Sequence, residues 1–100
     1  MPNSNLRTKV IDRFQIIIDT LSPLYLKGSK NSIEMLNLIE VQGTIEIQLA
    51  ENENLSYRVR ENELLSNIIN TNNMLQYMLK THNKSVSVIE DSMRKIIQSY

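Results

Sequence analysis

The last third of the chain carries apolar side chains that recur alternately three and four residues apart. The series starts at Leu65 and runs to Ile96, with polar members at Asn72 and His82. This spacing is typical of a helix that buries one face against other helices. We therefore predict a long coiled-coil helix over residues 62–100. Its predicted partner-binding positions are Leu65, Ile68, Asn72, Leu75, Leu79, His82, Val86, Ile89, Met93 and Ile96.

Two features bear on the continuity and the partners of this helix. Residues 81–88 include poor helix formers such as Asn83, so propensity favours a break near residues 81–84, whereas the continuous heptad phase favours one helix. The positions beside the stripe carry few charges, and some are apolar, such as Ile69 and Met78. Charged flanking positions usually select the partner in a two-helix coil. Their scarcity favours a heteromeric helical bundle over a homodimer.

The polar members of the stripe have two interpretations each. Asn72 would pair with a second asparagine across a parallel dimer, or would lie at a wet edge of the seam. His82 would form a polar layer, or would face solvent. A lone histidine in a chain without cysteine does not make a zinc site. We therefore expect no metal site and no cofactor.

The amino-terminal segment also has helical spacing. Its apolar residues, which share one face of a helix, are Leu6, Val10, Phe14, Ile17, Ile18 and Leu21. Pro23 disfavours helical geometry at the residue before it, so the sequence predicts a short helix that ends near Leu21. A strand is the alternative, because residues 14–18 are rich in β-forming side chains.

The middle of the chain changes to a period of two. From Ile33 to Leu49 the odd positions are mostly apolar, and even positions such as Glu46 are mostly polar. This alternation predicts a half-buried antiparallel hairpin or meander at about residues 33–60, with a third strand at residues 55–60. The predicted fold class is therefore α+β. Its regions are a helix-plus-sheet part at 1–60 and a helical arm at 61–100.

A family resemblance lies within the predicted sheet. Residues 38–46 read Leu-Ile-Glu-Val-Gln-Gly-Thr-Ile-Glu. This stretch resembles the strand motif of the chromosome transmission fidelity protein eight family, the smallest subunit of an alternative clamp loader. The resemblance implies a nuclear, non-enzymatic subunit that completes a β-barrel with a sister subunit in DNA replication and sister-chromatid cohesion. The matching motif positions are Glu40, Gln42 and Gly43. The predicted order of helix, hairpin and long helix is also similar to that of prefoldin-type chaperone subunits.

Composition and charge exclude several classes of function. The 11 basic and 11 acidic side chains cancel, so no net field favours nucleic acid or an anionic membrane. The longest apolar run is too short to span a bilayer. The chain has no cysteine, which suits the nucleus or the cytoplasm. No phosphate-binding loop or catalytic constellation is present.

These observations predict a non-enzymatic scaffold or adaptor subunit of a multiprotein complex. We expect its partners to be protein subunits, joined through the carboxy-terminal coiled-coil helix and through strand addition to the sheet edge. The alternatives are a clamp-loader-type subunit and a prefoldin-like chaperone subunit.

Overall fold

Four α-helices joined by short connections account for most of the structure. The computed structural model describes the backbone of residues 2–98 and the side chains of residues 5–98. The elements are α1 at Pro2–Leu21, a 3₁₀ turn at Ser22–Leu24, α2 at Lys30–Glu51, α3 at Tyr57–Thr81 and α4 at Val86–Gln98. Residues 2–98 contain no β-strand, so the predicted α+β fold with a hairpin or meander at about 33–60 is wrong.

The helices form a bundle in which consecutive helices pack against each other. Helix α1 packs most extensively on α2, α2 packs on α3, α3 packs on α4, and α4 returns to contact α1. The α2–α3 and α1–α4 contacts both join the chain before residue 60 to the chain after it. Apolar side chains from all four helices therefore share one core, in which the fully buried members include Leu6, Val10, Ile17, Met35, Ala50, Leu64, Leu79 and Ile96.

Helix α1 uses the apolar face that its sequence spacing defines. The buried side chains recur three or four residues apart along the helix, at Leu6, Val10, Phe14, Ile17 and Leu21. Pro23 lies in the first positions of the 3₁₀ turn, where a missing N–H removes no helical hydrogen bond. The chain therefore leaves α1 at Leu21 and turns toward α2.

The buried positions of residues 30–51 recur at helical intervals, mostly four or seven residues apart. Met35, Ile39, Glu46 and Ala50 face the core, whereas several of the odd-numbered apolar residues of the predicted strands are exposed. The Ser29 hydroxyl accepts a hydrogen bond from the Ser32 N–H at 3.1 Å and caps the helix. The alternation of apolar residues was therefore a poor indicator of which face this segment buries.

The predicted third strand at residues 55–60 is also replaced by helix. Ser56 caps α3 by accepting a hydrogen bond from the Val59 N–H at 3.3 Å. The buried Arg60 donates from Nη1 to the carbonyl oxygen of Asn52 at 3.0 Å, which joins the first turn of α3 to the end of α2. This connection is short, and α2 and α3 therefore pack as an antiparallel pair.

The predicted long helix over 62–100 is two helices, and residues 99 and 100 lie outside the described part of the chain. Helix α3 ends at Thr81 in the region where propensity favoured a break. Asn83 has a φ of 59°, and the N–H groups of Asn83 and Lys84 donate to the carbonyls of Lys80 and Leu79 at 3.1 Å. This is a Schellman arrangement, in which the left-handed residue stops the helix. Ser85 then caps α4 through the Val88 N–H.

Candidate functional site

The predicted partner-binding stripe divides between the core and the surface of the bundle. Most of its members lie in the protein's own core: Ile68, Leu75, Leu79, Ile89, Met93 and Ile96. Leu65 and Val86 are exposed, while Asn72 and His82 are partly buried. The chain thus covers most of the stripe itself by folding back at residues 82–85.

Asn72 belongs to a polar cluster inside the bundle that joins three helices. Arg13 of α1 and Glu46 of α2 are both fully buried, and Arg13 Nη1 donates to the two carboxylate oxygens of Glu46 at 2.8 and 3.1 Å. Arg13 Nη2 donates to Asn72 Oδ1 at 3.3 Å, and the Thr71 hydroxyl donates to Glu46 Oε2 at 3.4 Å. The cluster therefore holds α1, α2 and α3 in one relative register.

The electrostatic balance of the cluster is set by burial. Loss of hydration raises the pKa of the Glu46 carboxyl above its ordinary value, while the Arg13 guanidinium and the Thr71 hydroxyl oppose that rise. Such a pair costs desolvation free energy that its mutual attraction only partly offsets. The side chains of Arg13 and Glu46 have no exposed surface. Its arrangement suits a structural role better than a binding role.

His82 lies in a second cluster, where the connection between α3 and α4 meets the connection between α1 and α2. Its ring meets the Tyr25 ring edge-on at a centroid distance of 5.9 Å. Lys84 Nζ lies 5.3 Å from the centre of the Tyr25 ring and donates a hydrogen bond to the Leu24 carbonyl. Burial raises the pKa of the Tyr25 hydroxyl. These contacts attach the 82–85 connection to the rest of the bundle.

An open apolar groove of about 430 Å³ runs between α2 and α3. Its lining is mainly apolar and includes one charged residue, Glu34. The lining residues are Glu34, Leu38, Asn73, Met74, Tyr77 and Met78. Tyr77 is 70% exposed although its ring lies at the groove, and Met74 is also exposed. Large apolar side chains that face solvent beside a concave surface are typical of a protein-binding site.

The groove continues along α2 as an exposed apolar ridge. Leu38, Val41 and Ile45 are three and four residues apart, so they lie on one side of the helix. Val41 and Ile45 are exposed and Leu38 is half-buried. A ridge with this spacing offers a surface on which another helix packs.

The strand-motif residues lie on α2 in three different environments and do not form one site. Glu40 is exposed, Gln42 is partly buried, and Gly43 lies under the Phe14 ring, whose nearest atoms are 3.7 Å from the position of an added Cβ. Because residues 38–46 are helical, they do not provide the strand edge that the resemblance implies. In this fold Gly43 packs beneath the Phe14 ring of α1, with room for an added Cβ at ordinary van der Waals distance.

Sequence reasoning missed the groove and the buried Arg13–Glu46 pair. Both charged residues are typical of surfaces, and nothing near either one in the sequence indicates its partner. Leu38, Val41 and Ile45 have helical spacing, but Val41 and Ile45 also fit the alternation of odd positions that predicts strands. The signal that could have revealed the helix was Ser29, a good N-cap residue directly before the segment.

Comparisons with known proteins found no relative of this chain. No protein-family model, curated protein or solved structure matches it.

The part of the chain that the structure describes contains no group of three or more His, Asp or Glu side chains arranged to hold a metal ion. Within the same range, every helix is too short or too polar to cross a membrane.

Proposed function

We propose that the protein is a non-enzymatic structural or adaptor subunit that binds an amphipathic helix of a partner protein in the α2–α3 groove. The observation that carries this proposal is the groove itself, where Met74 and Tyr77 are exposed beside the apolar ridge of α2. The bundle already has its own core, so these side chains are not needed to close it. Burial by a partner would remove their apolar surface from water.

The chemistry of the groove indicates what kind of helix would fit. A partner helix would present apolar residues three and four apart toward Leu38, Met74 and Met78. Glu34 is the only charged residue in the lining, so a lysine or arginine at one end of the partner stripe would pair with it. Since the chain has no cysteine, we expect the complex to form in the nucleus or the cytoplasm.

Affinity purification of the full chain, combined with surface variants, tests the proposal. Tyr77→Lys places a charge in the groove, and Ile69→Lys places the same charge on α3 outside the groove lining, where Ile69 is 61% exposed. Both variants should keep wild-type helicity by circular dichroism. A genuine groove partner should be lost with Tyr77→Lys and retained with Ile69→Lys.

A second variant examines the proposed charge pairing. Glu34→Lys should weaken binding of the same companion by roughly threefold to tenfold, because a rim charge contributes modestly to affinity. If wild type and Tyr77→Lys capture every co-purifying protein equally, the groove is excluded as the binding site.

A further inference from the structure

The buried residues of α3 and α4 continue one helical phase across the connection that separates them. Leu75 and Leu79 of α3 and Ile89 and Met93 of α4 are all buried, and His82 lies between them at the same spacing. If residues 82–85 were helical, these side chains would form one continuous stripe of three-and-four spacing. The two halves of the core would then lie on the same side of a single long helix.

The connection that prevents this is short and conformationally demanding. It comprises residues 82–85, and Asn83 has a φ of 59°, the left-handed conformation that asparagine tolerates better than most residues with a side chain. The bent form is held by the Schellman hydrogen bonds and by Lys84, which donates to the Leu24 carbonyl. Short hinge connections favour the exchange of identical elements between copies of a chain.

Exchange would conserve the contacts that α4 makes. In the bent form α4 packs against α1 and α3, which both precede the connection in the chain. If residues 82–85 straighten, α4 of one copy reaches the same surfaces of α1 and α3 in a second copy. The second copy returns its own α4 by symmetry. The straightened connection would add helical hydrogen bonds, and Asn83 would change from the left-handed to the right-handed helical conformation in both copies.

We propose that the chain forms a domain-swapped dimer in which α3 and α4 become one continuous helix and α4 packs into a second copy. The partner is a second copy because only it supplies the α1 and α3 surfaces that α4 already fits. This dimer leaves the α2–α3 groove outside the exchanged contacts, so the inference does not depend on the proposed function.

Matched substitutions at Asn83 test the exchange. Asn83→Ala disfavours the left-handed conformation and favours helix, whereas Asn83→Gly relieves the strain and disfavours helix. Size-exclusion chromatography with light scattering should show that Asn83→Ala raises the dimer association constant at least about tenfold over wild type. Asn83→Gly should lower it. Equal dimer fractions in the two variants, or monomer alone in both, would overturn the proposal.

Two further measurements separate exchange from association through the groove. The isolated Asn83→Ala dimer should persist after dilution, because reversal requires α4 to leave its core, while a dimer held by surface contacts dissociates promptly. Adding Tyr77→Lys to Asn83→Ala should leave the dimer fraction unchanged. Prompt dissociation on dilution, or loss of the dimer with Tyr77→Lys, would show that the contact is not a swap.

Discussion

At the residue scale, the fully buried Arg13–Glu46 pair combines a desolvation cost with a close ion pair, and mutation separates the two effects. Removing one charge leaves the other buried, so Glu46→Leu should lower the free energy of unfolding by about 3–5 kcal/mol. Replacing both, as Arg13→Met with Glu46→Leu, should return stability to within ~1 kcal/mol of wild type or above it. Urea unfolding of the four proteins in this cycle measures the coupling. Additive losses would show that the residues do not form a pair in solution.

The same pair predicts how stability depends on pH. Burial raises the folded-state pKa of Glu46 above that of the unfolded chain, so the folded state binds the proton more tightly. The stabilisation that comes from this tighter proton binding is therefore fully present below the pKa of Glu46 in the unfolded chain. It is lost as pH rises through the pKa of Glu46 in the folded state. Glu46→Gln removes this titration. The free energy of unfolding of the wild type, minus that of Glu46→Gln, should fall as pH rises. An increase would mean that the attraction of Arg13 lowers the pKa of Glu46 more than burial raises it.

At the element scale, Gly43 distinguishes a helical α2 from a strand. An added Cβ would meet the Phe14 ring at ordinary van der Waals distance, and alanine favours helix over glycine. Gly43→Ala should therefore raise the free energy of unfolding by about 0.5–1 kcal/mol, measured by urea denaturation. Gly28→Ala is the control, because Gly28 has open space around it but a φ of 79°. The Gly28→Ala variant should have a free energy of unfolding about 1 kcal/mol below that of the wild type. A destabilised Gly43→Ala variant would argue against this packing of α1 on α2.

At the scale of the whole molecule, the bundle decides which residues of the heptad stripe are structural. Leu79 is fully buried and Leu65 is 43% exposed, although the sequence spacing treats them alike. Leu79→Asp should lower the free energy of unfolding by more than ~3 kcal/mol, because it removes core packing and buries a carboxyl group. Leu65→Asp should change it by less than ~0.5 kcal/mol. Thermal unfolding followed by circular dichroism makes the comparison, and similar losses in both variants would contradict a bundle closed by α4.

Helix α1 shows how far sequence reasoning reached. Its apolar residues follow one period, its core face contains a single charged residue, and Pro23 marks its end, so local information was sufficient. In α2 the core position at residue 46 carries a glutamate, which broke the helical pattern and left the odd-numbered apolar residues as the stronger signal. The exposed Val41 and Ile45 strengthened that false alternation. A charge at a core position is recognised only from its partner, and Arg13 lies 33 residues away.

Local patterns along the chain were enough to predict where α1 ends, the heptad face of α3 and α4, and the weak helix formers between them. These properties depend on backbone conformation and on spacing within one segment. The packed bundle, by contrast, shows that residues 33–51 and 57–60 are helical, that most of the stripe is folded back into the chain's own core, and that an apolar groove lies between α2 and α3. Those outcomes depend on contacts between distant segments, and pairing of buried charges and coverage of apolar faces have no local signal.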